Sequence, residues 1–200
     1  MRWDNLFDDL EGQLEQELTA EEVDLRAEEE RLRLGRLSLR DRILSISEAH
    51  DRDVDWSIRL LVHGGESMNV RPATFGRDWF SAELVDGSGR HAQCIVPLAA
   101  IAGVILSKQQ VESSLHATPG EASGTSLAAR LSLPFVLRDL CRRRTSLELH
   151  TPAGPLVGTI DRVGRDHLDL AVHDRDEPRR EAVVVHHRIV PLAQLLLVKV

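Results

Sequence analysis

Leu61 to Asp78 reads LVHGGESMNVRPATFGRD, and Leu149 to Asp166 reads LHTPAGPLVGTIDRVGRD, at a constant offset of 88 residues. Apolar positions fall on apolar positions across the pair: Leu61 on Leu149, Met68 on Leu156, Phe75 on Val163. The triplet Gly76, Arg77, Asp78 recurs intact as Gly164, Arg165, Asp166. Two more blocks recur at offset 94: Leu37-Ser38-Leu39 as Leu131-Ser132-Leu133, and Ile95-Val96-Pro97-Leu98-Ala99 as Ile189-Val190-Pro191-Leu192-Ala193. Matched blocks in one order, about 90 residues apart, mean a duplicated small domain and not a solenoid.

Around these blocks the chain divides into four parts. Residues 1–36 carry an apolar stripe of Trp3, Leu6, Phe7, Leu10, Leu14 and Leu18 at spacings of three and four, the pattern of an amphipathic helix. Thr19 and Glu22 offer a capping box for a second, highly charged helix that Gly35 ends. The expectation is an acidic helical arm, with Trp3, Leu6, Phe7, Leu10 and Leu14 as a docking or self-association face. Residues 37–106 and 131–200 are the two repeats, each opening on a short helical pattern, Leu37–Ser47 and Leu131–Arg144. Alternation then takes over, in Leu147, Leu149 and in Leu156, Gly158, Ile160 and in Leu168, Leu170, Val172, with turns at Pro152–Gly154 and Gly164–Asp166. Val183–Val185 and Leu195–Val198 supply the remaining strands. Ser107–Arg130, rich in Ser, Gly, Ala, Gln and Thr, reads as a flexible linker.

Charge separates the arm from the repeats. Residues 1–56 hold 17 acidic and 8 basic side chains, and the rest of the chain holds 15 and 17. The overall charge of −7 thus belongs to the arm, which argues against binding nucleic acid by bulk electrostatics. Two basic groups stand out: Arg142–Arg144, placed to close a helix C-terminus, and Arg175, Arg179, Arg180 and Arg188. No apolar run reaches the eighteen residues of a membrane span, and the start has no signal-peptide pattern, so the expectation is a cytoplasmic protein without a membrane partner. Cys94 and Cys141 lack partners at metal-ligand spacing and read as reduced thiols. There is no phosphate-binding glycine loop, no nucleophile elbow and no Cys-x-x-Cys pair, and His186 and His187 point to opposite faces of a strand. The residues imply no enzyme, no cofactor, no metal and no small-molecule substrate.

In the second repeat Leu147, Leu149, Gly154, Leu156, Gly158, Ile160, Val163, Asp166, Leu168 and Leu170 track the first motif of the Sm-like family of small β-barrels, which this chain resembles. Ile189–Val200 looks like that fold's fourth strand, short turn and fifth strand. The resemblance implies an α+β chain: a helical arm, then two tandem five-stranded Sm/SH3-like barrels, each preceded by a short helix. It further implies that the loops at Arg77, Asp78, Trp79 and at Arg165, Asp166, His167 are the contact sites, with Trp79 and His167 as stacking faces. Ser81 and Asp169 stand where the family's base-reading Asn belongs, and the family's Arg-Gly pair is missing from both repeats. Asp78, Asp161 and Asp169 put negative charge near the loop, so an adaptor that binds proteins or itself is favoured, with RNA as the alternative partner.

Overall fold

The structure is a computed structural model that describes residues 22–50, 56–85, 92–117, 127–175 and 179–200. It divides into two compact units, Met1–Leu37 and Ser38–Val200. In the first, helix α1 covers residues 22–35. Exposed pairs one turn apart line it, Arg26–Glu22, Arg31–Glu28 and Arg33–Glu30, each worth a few tenths of a kcal/mol, about 0.2–0.5. The docking stripe Trp3–Leu14 lies outside the described residues.

In the second unit, helix α2 (Leu39–Ala49) leads strands β1 (Ile58–Val62), β2 (Ser67–Phe75), β3 (Trp79–Leu84), β4 (Ala92–Pro97) and β5 (Ile101–Ile105). After helix α3 (Lys108–Leu115), helix α4 (Leu133–Arg143) leads β6 (Ser146–Thr151), β7 (Gly154–Val163), β8 (His167–Val172), β9 (His186–Pro191) and β10 (Leu197–Lys199). The duplication is structural as well as sequential. Both long strands carry a register shift at matching places, Pro72/Phe75 in β2 and Ile160/Arg162 in β7. Both loops make the same backbone bonds, Gly76 N–H to Trp79 and Leu98 N–H to Asp78 in the first, Gly164 N–H to His167 and Leu192 N–H to Asp166 in the second.

The expected pair of separate five-stranded barrels is not what forms. The ten strands make one continuous antiparallel sheet in the order β5-β1-β2-β3-β4-β10-β6-β7-β8-β9. The join is β10, which pairs with β6 of its own repeat and also with β4 of the first, Val198 opposite Ile95 and Lys199 opposite Cys94. Period-2 alternation reports which face of a strand is buried and is silent on which strand satisfies each edge, so the sequence could not distinguish two closed units from one joined sheet. The backbone N–H and C=O rows of β4 and β10 would be open edges in separate units, and pairing them removes both.

Two smaller differences have local causes. Ser107–Arg130 does not begin as a linker: Ser107 and Gln110 form a capping box that starts α3. That helix is tied to α2 by Arg42 donating to Ser114 Oγ at 2.8 Å and Ser45 donating to the Ser113 carbonyl. Its polar composition hid it. The expected strand Val183–Val185 does not form: Val183 ends a short 3-10 turn, Glu181–Val183, and the strand β9 begins three residues later at His186.

Each repeat keeps its own apolar cluster, yet each borrows from the other. Leu197 packs with Ile43, Ile46, Trp56, Leu60 and Phe80 of the first repeat. Trp79 and Ile95 pack with Leu133, Leu137, Leu149 and Val198 of the second. The two repeats should therefore unfold together. Leu197→Ala is expected to cost about 2–5 kcal/mol, with tryptophan fluorescence and far-UV circular dichroism following one coincident urea transition. Two separated transitions would contradict the shared core.

Candidate interaction surfaces

The loop Gly76–Trp79 of the first repeat is consumed by the start of the second. The Asp78 carboxylate accepts the Leu133 N–H at 2.7 Å, capping α4, whose own Ser132 makes no side-chain cap. Arg77 N–H and Trp79 Nε1–H both donate to the Leu131 carbonyl, at 2.9 and 3.0 Å. The Trp79 ring lies against Gly76, where a Cβ would sit 2.1 Å from Nε1, so only glycine allows this placement. Of the sequence-derived contact residues in this loop, Asp78 and Trp79 hold the repeats together; Trp79 is buried, the Asp78 side chain is half-exposed, and the Arg77 side chain is exposed.

The matching loop of the second repeat is open. Arg165, Asp166 and His167 are all exposed. His167 Nδ1 lies 2.8 Å from Asp166 Oδ1, and this hydrogen bond holds the Asp166 carboxyl below the usual range. Helix α2, the counterpart of α4, is capped within itself by Ser38 and Asp41.

The contrast extends along both ends of the sheet. Ile95 in β4 is 7% exposed because β10 covers it, while the same residue one repeat later, Ile189 in β9, is 70% exposed. Leu133 is 6% exposed beneath Trp79, while its counterpart Leu39 is 42% exposed. Leu39, Ile43, Ile46, Val104 and Leu106 line a groove of about 410 Å³. Their counterparts at offset 94 include Leu133, Leu137 and Val198, against which Trp79 and Ile95 pack. A hollow of about 100 Å³ at the other end is lined by Pro152, Leu156, Pro191 and Gln194. In the first repeat the corresponding place, beside Met68 and Ala100, is filled by Leu196.

Away from the sheet edges, Asp161 gathers cations. Arg179 grips it with Nε and Nη2, both at 2.7 Å, and Arg144 adds a bond at 3.1 Å. The Arg179 hydrogen bond, with smaller contributions from the Arg179, Arg144 and His187 charges, holds the Asp161 carboxyl below the usual range. The basic runs picked out in the sequence are otherwise local: Arg142 and Arg143 both bond Asp139 on the last turns of α4, and Arg175 bonds Glu148. Burial pushes the Cys94 thiol up to about 12, which makes it inert as a nucleophile at neutral pH, and Cys141 is also a free thiol. Among the described residues no three His, Cys, Asp or Glu side chains group as a metal site, and no helix is long and apolar enough to cross a membrane.

Comparison with protein-family models, curated proteins and solved structures returns no match. The likeness to the Sm-like family rests on the sequence motif alone.

Two measurements check the assignments. Asp78→Ala should lower unfolding free energy by about 1 kcal/mol through the lost cap, whereas Asp166→Ala, at the matching open loop, should stay within about 0.5 kcal/mol in dilute urea titrations. Because the folded-state pKa of Asp161 is depressed, its contribution is complete above the unfolded carboxylate value near ~4 and fades as pH falls through the folded value. Arg179→Gln should therefore flatten the acid limb of the stability–pH curve.

Proposed function

We propose that this chain is a non-enzymatic interaction protein that associates with further copies of itself, head to tail, through the two ends of its sheet. The observation that carries the reading is the pair of identical residues with opposite environments. Ile95 and Leu133 are buried where one repeat meets the next, and Ile189 and Leu39 occupy the same positions at the outer ends but are exposed. Each end offers what the other lacks: Ile189 and the Asp166–His167 loop project at one, and Leu39 and Val104 line a groove at the other.

The contact inside the chain supplies the register. With β9 in the role of β4 and β5 in the role of β10, Ile189 faces Val104 of the second copy and Arg188 faces Ile105. The Asp166 carboxylate then stands before the Leu39 N–H as Asp78 does before Leu133. The outer contact is weaker than the inner one, because Ala102, Gly103 and His167 replace Leu196, Leu197 and Trp79. The alternative reading, an RNA-binding protein, has less support: Trp79 is enclosed between the repeats, which leaves His167 as the one exposed ring of the two. We place the protein in the cytoplasm, where the free thiols Cys94 and Cys141 stay reduced.

Sedimentation of the full chain over a wide concentration range tests this. The average mass should rise from the 22.4 kDa monomer with concentration. Ile189→Asp and Leu39→Asp should each weaken association by about tenfold or more, as expected for a charge forced into an apolar contact. Mixing the two variants should give a heterodimer and nothing larger, because each retains one sound end. A monomer at every concentration, or association that both variants leave untouched, would overturn the reading.

A further inference from the structure

Four arginines, Arg144, Arg162, Arg179 and Arg188, line an open cleft of about 620 Å³ on the second repeat, together with His187, Ile189, Asp161 and Asp169. The two carboxylates do not balance them. Asp161 is already engaged by Arg179 and Arg144, with His187 Nδ1 at 3.7 Å, so it acts as the post to which those cations are fixed. Arg179 is also 3.7 Å from Glu181, a flanking carboxylate that is 79% exposed and correspondingly screened. Among the described residues Arg162 pairs with Asp169 alone, at 4.0 Å, and its side chain is 85% exposed. Among the described residues Arg188 makes no side-chain hydrogen bond or ion pair.

The first repeat acts as an internal control for what the fold requires. At the positions of Asp161, Arg162 and Asp169 it carries Ala73, Thr74 and Ser81, and at those of Arg144 and His187 it carries His50 and Gln93. β3 and β4 pair as β8 and β9 do, with Ser81 opposite Ile95 and Asp169 opposite Ile189. A β-sheet of this form is therefore built without a single one of these charges. In the second repeat they have been gathered on one cleft, and the anchoring carboxylate spends its hydrogen bonds on orienting guanidinium groups. Such an arrangement lowers the entropy lost when an anion arrives, because the donors are already placed.

We propose that this cleft binds a small phosphate-bearing anion, contacted by Arg162 and Arg188 and flanked by Arg144 and Arg179, which Asp161 positions. Guanidinium forks match phosphate oxygens in pairs, and these charge-assisted bonds are the strong ones. The cleft volume lies within the range of small-ligand sites. Ile189 supplies an apolar wall for whatever the phosphate carries. All of the named residues belong to one molecule, so the site is complete in the monomer; because Arg188 and Ile189 also form the outer β9 edge, the anion and a second copy compete for it.

The test is isothermal titration calorimetry of the full chain with inorganic phosphate and with inorganic pyrophosphate, and a parallel titration with a single-stranded RNA oligonucleotide. The expected result is saturable binding of one pyrophosphate per chain, tighter than phosphate. The double variant Arg162→Gln/Arg188→Gln, which leaves the Asp161 cluster intact, should weaken it by about tenfold or more. The surface variant Arg77→Gln, outside the cleft, should bind as the parent does. Far-UV circular dichroism confirms that each variant is folded. Absence of saturable pyrophosphate binding, equal affinity in the double variant, or affinity for the oligonucleotide alone would each overturn the proposal.

Discussion

The structure depends on a short backbone ladder between β4 and β10. Among the described residues, two pairs, Val198 with Ile95 and Lys199 with Cys94, and the flanking bond from Val200 N–H to the Gln93 carbonyl pair the two halves of the sheet. The ladder is small, but it fixes the place of much larger side chains. It puts Leu197 in the apolar cluster of the first repeat and Ile95 in that of the second. Hydrogen bonds of this kind contribute only about 0.5–1.5 kcal/mol each, whereas a buried Leu or Ile contributes about 1.5–3 kcal/mol. The ladder supplies register, and the borrowed side chains supply most of the energy.

That register also explains why the two Gly-Arg-Asp loops, alike in sequence, have different occupations. The first loop faces the start of α4, so Asp78 becomes a cap and Trp79 a wedge against Leu133. The second faces no further repeat, and Asp166 turns to its neighbour His167. The same backbone, with the same turn hydrogen bonds, thus serves as a joint in one place and as an open end in the other.

Much of this was legible in the amino-acid sequence, and the limits have physical causes. The duplication, the leading helices and the turns at Pro152–Gly154 and Gly164–Asp166 follow from periodicity and turn chemistry, and the structure has them there. The single joined sheet was not legible, because a strand's sequence does not record which neighbour completes its edge. The expected strand Leu195–Val198 starts two residues late, as β10 at Leu197, because the 3-10 turn Leu192–Gln194 and the residues that follow it take up Leu195 and Leu196; all three leucines are nonetheless buried. Helix α3 escaped notice because its hold on α2 is made by Ser113, Ser114, Arg42 and Ser45, polar residues that read as linker. The Asp161 cluster draws on β7, β9, the end of α4 and the segment before Glu181, four separate stretches that only the fold brings together.

Energetics decide how an outer contact built on the inner plan behaves. Within the chain the ends of β4 and β10 are held at high effective concentration by the covalent connection, so the contact forms without the loss of a free molecule's motion. Between molecules that loss is about 4–15 kcal/mol. Against it stand Ile189 and Leu39, at about 1.5–3 kcal/mol each when fully buried, and a few edge hydrogen bonds. The replacements Ala102 and Gly103 withdraw the two leucines that reinforce the inner contact. His186, His187 and Arg188 add polar and charged side chains along β9, which discourage indiscriminate edge pairing. The sum lies close to balance, so the proposed outer contact would be reversible where the inner one is permanent. On the proposed reading, one joint defines the fold and the second, of the same design but weakened by a few substitutions, would respond to the protein's own concentration.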